Sequence, residues 1–181
     1  MAQITERRNY DGALERIDRL GLGSLWNEFE GILTSFELRV KEERDANGGA
    51  VVRDLVDLAF SQAGGWKKQQ TGGVDWTKCK TVNGTRVCIG VEVQCSGRSD
   101  LLIVDVAHLR DEIITGGIDV GVMVVPSDRL GKFLTDRSPK FSDAIRAIDR
   151  ARATDLPLIV LALEHDGAGP ALAKRRTRQG K

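Results

Sequence analysis

Neither sign of charge dominates this chain: 27 Lys and Arg stand against 26 Asp and Glu, a formal net charge of +1 at pH 7. Bulk charge therefore gives no argument for a polyanionic partner, and any nucleic-acid surface has to come from local clustering. Cysteine is scarce too. Cys79, Cys88 and Cys95 are an odd count without a C-x-x-C spacing, which argues against a zinc site and predicts free thiols. There is no N-terminal signal peptide, no apolar run long enough to span a bilayer and no internal repeat. A soluble, cytoplasmic protein without a membrane partner is expected.

What is present fits one domain. At 181 residues the chain can bury a real core, since a domain of about 150 residues buries about 70% of the surface its unfolded chain exposes. Residues 1–170 read as that domain. Residues 171–181, with the run K-R-R-T-R-Q-G-K, read as a flexible basic tail that either solubilises the chain or touches nucleic acid.

The N-terminal third has helical periodicity. Tyr10, Leu14, Ile17 and Leu20 recur at helical spacing, then Leu25, Phe29, Ile32, Leu33 and Phe36 behind a Ser24 cap, then residues 51–60 up to Gly64-Gly65. Three helices are thus expected before any strand. The texture changes at G-G-V-D-W-T-K-C-K-T-V, where Asn83-Gly84 followed by T-R-V-C-I-G-V-E-V-Q-C reads as a hairpin with a two-residue type I′ turn. A helix over residues 99–115, a strand over 118–126, a helix opened by Ser138-Pro139 and a strand over 156–163 follow. The expected fold class is α/β: a mixed sheet whose antiparallel hairpin is joined by crossover helices to two further strands.

One face of the second hairpin strand is anomalous. Val87, Ile89, Val91, Val93 and Cys95 alternate with Cys88, Gly90, Glu92 and Gln94, so a carboxylate and an amide share a side of an otherwise apolar strand. With a two-residue turn, Val82 faces Thr85, and the same count puts Cys79 opposite Cys88 and Asp75 opposite Glu92. The two cysteines are expected to pack as thiols in a reducing cytoplasm. Facing acids repel at a Cβ separation of about 5 Å. A divalent cation between them would offset this, as would solvation or pairing with Lys78 or Lys80.

The spacing G-G-V-D, then E-V-Q seventeen residues on, resembles the active-site motif of the PD-(D/E)XK nucleases. Gln94 stands where most of that superfamily has lysine, a departure shared by the BglII/BstYI-like type II restriction endonucleases. The likeness extends to L-W-N-E-F-E-G-I-L, G-W-K-K-Q-Q and I-D-V-G-V-M-V-V, over roughly residues 25–165. It implies a restriction-endonuclease-like core, flanked by helices, that cuts double-stranded DNA at a short palindrome with Mg²⁺ and leaves 5′-phosphates. It also implies a homodimer, expected to be held largely by N-terminal helices that include part of residues 51–60, and a cognate DNA methyltransferase. Catalytic roles pass to Asp75, Glu92 and Gln94, metal binding to Asp75, Glu92 and the Val93 carbonyl, and DNA contact to Ser96, Gly97, Arg98 and Ser99. Gln94 has no charge and is no general base, so its implied role is to orient the attacking water. Gln69 or Gln70 is a further polar candidate. Ser96–Ser99 also reads as a plain polar turn capping the next helix, and His108 as an ordinary surface histidine. Two other readings are an inactive DNA-binding dimer on the same fold and a structure-specific repair nuclease.

Overall fold

The Asn83-Gly84 turn sets the register at the centre of the protein. Both residues have positive φ, 49° and 81°, the pair of left-handed conformations that a type I′ turn requires. In the computed structural model, which describes residues 1–69, 73–97, 99–135 and 137–174, β4 (Trp76–Val82) and β5 (Thr85–Val93) leave this turn as an antiparallel ladder. The ladder runs without a bulge from Val82↔Thr85 to Trp76↔Val91, the register expected of a two-residue loop.

Parallel pairing then extends the sheet from β5 to β6 (Val120–Pro126) and from β6 to β7 (Leu158–Glu164). Every residue of β6 and β7 is buried, which accounts for their unbroken apolar sequences. Two antiparallel edges close the sheet, β1 (Gln3–Asn9) beside β7 and β3 (Lys67–Lys68) beside β4. The order is β1-β7-β6-β5-β4-β3. A separate parallel pair joins β2 (Arg39–Val40) to β8 (Gly167–Ala168).

Helices cover both faces. On one lie α1 (Ala13–Arg19), α2 (Gly23–Leu33), α3 (Gly49–Ala63) and α5 (Asp128–Phe133), packed on Val87, Ile89, Val91, Val93 and Cys95 of the alternating run. Phe60 centres this layer, stacked on Trp76 at 5.2 Å and edge-on to Trp66 at 5.0 Å. The other face holds α4 (Leu102–Ile114), entered through a short 3₁₀ turn Ser99–Leu101, and α6 (Phe141–Arg150). Close approach is needed here: a Cβ on Gly90 would lie 2.6 Å from Ile118. No helix among the described residues is long and apolar enough to cross a membrane.

Several expectations need correction. A strand, β1, precedes the helices; its burial is slight, with only Ile4 and Asn9 partly covered, so it carries no apolar alternation to read. Ser24 does not cap α2, whose N-cap is Leu22; its hydroxyl instead takes a hydrogen bond from Lys80. Ser138-Pro139 likewise stands just ahead of α6, whose N-cap is Lys140. Ser99 opens the 3₁₀ turn instead of capping α4. Cys79 and Cys88 form a disulfide where free thiols were expected: the ladder sets their Cα atoms 4.0 Å apart, so the sulfurs meet without backbone movement. Cys95 is a free, buried thiol.

Candidate active site

One residue beyond the last ladder pair, Asp75 and Glu92 meet at the end of the hairpin. A backbone hydrogen bond from Gln69 N to Asp75 O, 3.0 Å, holds the entry to β4, while Val93 N donates to the Asp75 carboxylate at 2.8 Å. Glu92 is 4% exposed. Burial first, and the Asp75 charge second, push its carboxyl up to about 10. In the ion-free protein Glu92 is therefore held protonated at neutral pH and hydrogen-bonded to Asp75, the usual outcome when two carboxyls share a site. Neither hairpin lysine relieves this repulsion, because Lys78 pairs with Glu28 at 2.7 Å and Lys80 reaches Gly21 O and Ser24.

Two helices bring side chains to which sequence reasoning gave no role: Arg53, Asp57 and Asp105 were not singled out, and His108, expected to be an ordinary surface residue, reaches Glu92. Arg53 of α3 donates to the Asp75 carboxylate at 2.6 Å and to the Val93 carbonyl. Its Nε lies 3.4 Å from Asp57, one turn on, and Asp57 also accepts from Trp76 Nε1 and Lys68. Burial raises the Asp57 pKa, but bonds from Lys68 and Trp76 and the Arg53 charge outweigh it and hold this carboxyl below its ordinary value. From the other face, α4 supplies Asp105 and His108, whose i, i+3 spacing places them on one side of the helix. His108 Nδ1 lies 3.1 Å from Glu92 Oε1. Asp105 is pushed up to about 6 by burial and by the Asp75 charge, against the opposing pull of His108 and a hydrogen bond from Gln94. One donor atom each from Glu92, Asp105 and His108 falls within 4.8 Å of the others. The signals for these residues were R-D-L-V-D on one helix and D-V-A-H on the next, but each is an ordinary helical spacing.

Of the sequence candidates, Asp75, Glu92, Val93 and Gln94 come together. Gln94 turns its amide to Asp105, and its backbone N–H extends the pairing to Val124 O at 2.9 Å. Ser96 is half-buried and Gly97 exposed, at φ 85° with nothing within 4 Å of its Cβ position. Arg98 and Gln70 lie outside the described residues, as does the tail from 175 on. Gln69 is exposed, and its side-chain oxygen comes 2.6 Å from where a Gly73 Cβ would sit. Ser99 borders a cavity of about 660 Å³ that Arg44, Lys132, Arg137 and Lys140 also line. The acids of the hairpin do not line that cavity, whose wall carries these four cations together with Asp45 and Asp143.

A hairpin carrying D…E-x-Q at the edge of a parallel core, flanked by helices on both faces, is the arrangement on which the comparisons bear. A sequence-family model described as restriction endonuclease BglII/BglIII matches residues 8–163. The chain belongs to that family. A comparison with curated proteins found no match. As a BglII/BglIII-family protein it has a restriction-endonuclease-like fold, is a type II site-specific deoxyribonuclease and takes double-stranded DNA as substrate. The family match also covers both edges of the site, α3 with Arg53 and α4 with Asp105 and His108.

Proposed function

We propose that the protein is a Mg²⁺-dependent restriction endonuclease that hydrolyses both strands of a short palindrome and leaves 5′-phosphates, with Asp75, Glu92 and Gln94 as its catalytic residues. The observation that carries this reading is the meeting of Asp75, Glu92 and the Val93 backbone at the end of one hairpin. These groups fit a divalent cation. All three offer hard oxygen donors, the two carboxyls cannot both ionise without a positive charge between them, and a guanidinium already bridges Asp75 and the Val93 carbonyl. Asp75, Glu92 and Val93 would hold the ion, which when bound supplies Lewis acidity to the scissile phosphate and its nucleophile.

The chain's own groups do the rest. Gln94 spends one N–H on Asp105 and keeps its carbonyl oxygen and second N–H to orient the attacking water. The Asp75–Val93 hydrogen bond fixes the carboxylate against the strand that carries Glu92, so both acids keep one geometry as DNA arrives. Ser96, Gly97 and Ser99 lie directly past β5, and Ser99 borders the hollow lined by Arg44, Lys132, Arg137 and Lys140. Such a surface would position phosphates, and Arg98 is the residue proposed to grip a phosphate or reach guanine in the major groove. Cutting two strands of a palindrome requires two such sites related by a two-fold axis, hence a homodimer. Of the apolar residues of α3, Val52, Val56, Ala59 and Phe60 are spent on the protein's own core, which leaves Leu58 exposed on that helix, with Leu101, Ile103, Val104 and Ile114 exposed on and beside α4, for that contact. The same reading carries a cognate DNA methyltransferase and a cytoplasmic location.

Plasmid digestion tests it. Wild type with Mg²⁺ should give discrete fragments, and Asp75→Ala and Glu92→Ala should each cut at least about 100-fold more slowly while still shifting DNA, because several kcal/mol of transition-state stabilisation depend on the ion they hold. Near wild-type cutting by either variant removes these residues from the mechanism. A smear or single-strand nicks would point instead to a structure-specific nuclease, and retained binding without cleavage to an inactive DNA-binding dimer.

A further inference from the structure

Glu92 stands between two sets of ligand-type groups that lie on opposite sides of β5. Toward α3 are the Asp75 carboxylate and the Val93 carbonyl, both already bonded to Arg53. Toward α4 are Asp105 and His108, and there the donor atoms converge to within 4.8 Å. Asp105 Oδ2 is buried and meets no hydrogen-bond partner among the described residues. A plain Glu–His surface pair accounts for the 3.1 Å contact of Glu92 with His108. It does not account for Asp105, which joins the same cluster and has that buried, unpartnered oxygen.

We infer that Glu92, Asp105 and His108 form a second divalent-cation site, sharing Glu92 with the Asp75–Val93 set and selective for a transition-metal ion such as Mn²⁺, Co²⁺ or Zn²⁺ over Mg²⁺. The selectivity follows from the donors. Two carboxylates alone suit Mg²⁺, but an imidazole nitrogen shifts preference toward the first-row transition ions. His108 is the ligand nearest solvent: its side chain is 38% exposed whereas that of Glu92 is 5% exposed, so an ion would reach the site from that side. Gln94, bonded to Asp105, fixes one ligand's orientation in the manner of groups that support a metal site from outside. Filling this site leaves Arg53 where it is, so it is independent of the displacement that the Asp75–Val93 set demands. The site rests on geometry alone; only its consequence for cleavage, a second ion beside the scissile phosphate, rests on the nuclease reading.

The test uses the untagged full-length protein without DNA, titrated with CoCl₂ and followed by Co²⁺ visible absorption, with Mn²⁺ electron paramagnetic resonance as the second readout. Wild type should bind one Co²⁺, and His108→Gln and Asp105→Asn should each weaken it at least about 10-fold, while Asp75→Asn keeps the one-ion stoichiometry. Equimolar Mg²⁺ should not displace the ion. Co²⁺ affinity unchanged in His108→Gln, or an ion lost with Asp75→Asn, overturns the assignment. His108 keeps 38% of its side chain exposed, so His108→Gln should melt close to wild type and decides the matter even where Asp105→Asn does not fold. The nuclease reading fails separately: Mg²⁺-supported cleavage that survives Asp75→Asn sinks it and leaves the Co²⁺ result untouched.

Discussion

Replacing Arg53 with alanine removes the positive charge that holds Asp75 and Val93 together in the ion-free protein. The guanidinium makes a 2.6 Å bond to Asp75, with the two side chains 20% and 23% exposed, and a second bond to the Val93 carbonyl. Hydrogen bonds involving a charged group are each worth about 1.5–3 kcal/mol, and breaking a fully buried pair costs about 3–5 kcal/mol. Partial exposure lets water take the place of the guanidinium, so the net loss should be about 2–3 kcal/mol. In urea this moves the unfolding midpoint down by about 1 M, for a slope of about 2–3 kcal/mol per molar. Mg²⁺ should then separate the two proteins. In wild type the ion has to displace Arg53 from Asp75 and Val93; in Arg53→Ala it does not, and at about ten times its dissociation constant it returns about 1.4 kcal/mol. Urea titrations of both proteins with and without Mg²⁺ read all four values. A loss below about 0.5 kcal/mol, or equal stabilisation of wild type and variant by Mg²⁺, would refute the idea that Arg53 and the ion compete for one place.

Glu92 gives a pH dependence whose sign follows from its raised pKa. Between its ordinary value of 4.5 and about 10 the folded state binds more protons than the unfolded chain, so ion-free stability should fall as pH rises through that window. Urea midpoints measured across it should decline in wild type and flatten in Glu92→Gln; a wild-type profile that rises contradicts the assignment. Gln94→Lys should retain about 10-fold more cleavage than Gln94→Ala, roughly the worth of one hydrogen bond to Asp105, which an ammonium can still donate. Complete and equal loss in both would mean that Gln94 makes a contact lysine cannot replace. Light scattering at micromolar concentration should give twice the 19.8 kDa of one chain; a monomer that nicks one strand per encounter excludes the dimer.

Local signals carried much of this architecture. Asn83-Gly84 determined the hairpin, and counting outward from it paired Cys79 with Cys88 and brought Asp75 to the level of Glu92, because a two-residue turn leaves one register. Period-two alternation in β5 sorted Val87 to Cys95 onto the α3 face and left Glu92 and Gln94 for the other. The stop of α3 at Gly64, at φ 71°, was equally plain. Tertiary packing alone decided what surrounds the acids. Arg53 comes from 22 residues before Asp75 and His108 from 16 after Glu92, on helices seated on opposite faces of the sheet, and no local pattern encodes how far a helix slides along the sheet it covers. β1 was hidden for a related reason: Q-I-T-E-R-R-N is held at the edge by backbone pairing to β7, so its side chains need no apolar face and its sequence shows none. Backbone hydrogen bonding is blind to side-chain identity, whereas burial is not, and only the buried elements wrote themselves into the sequence.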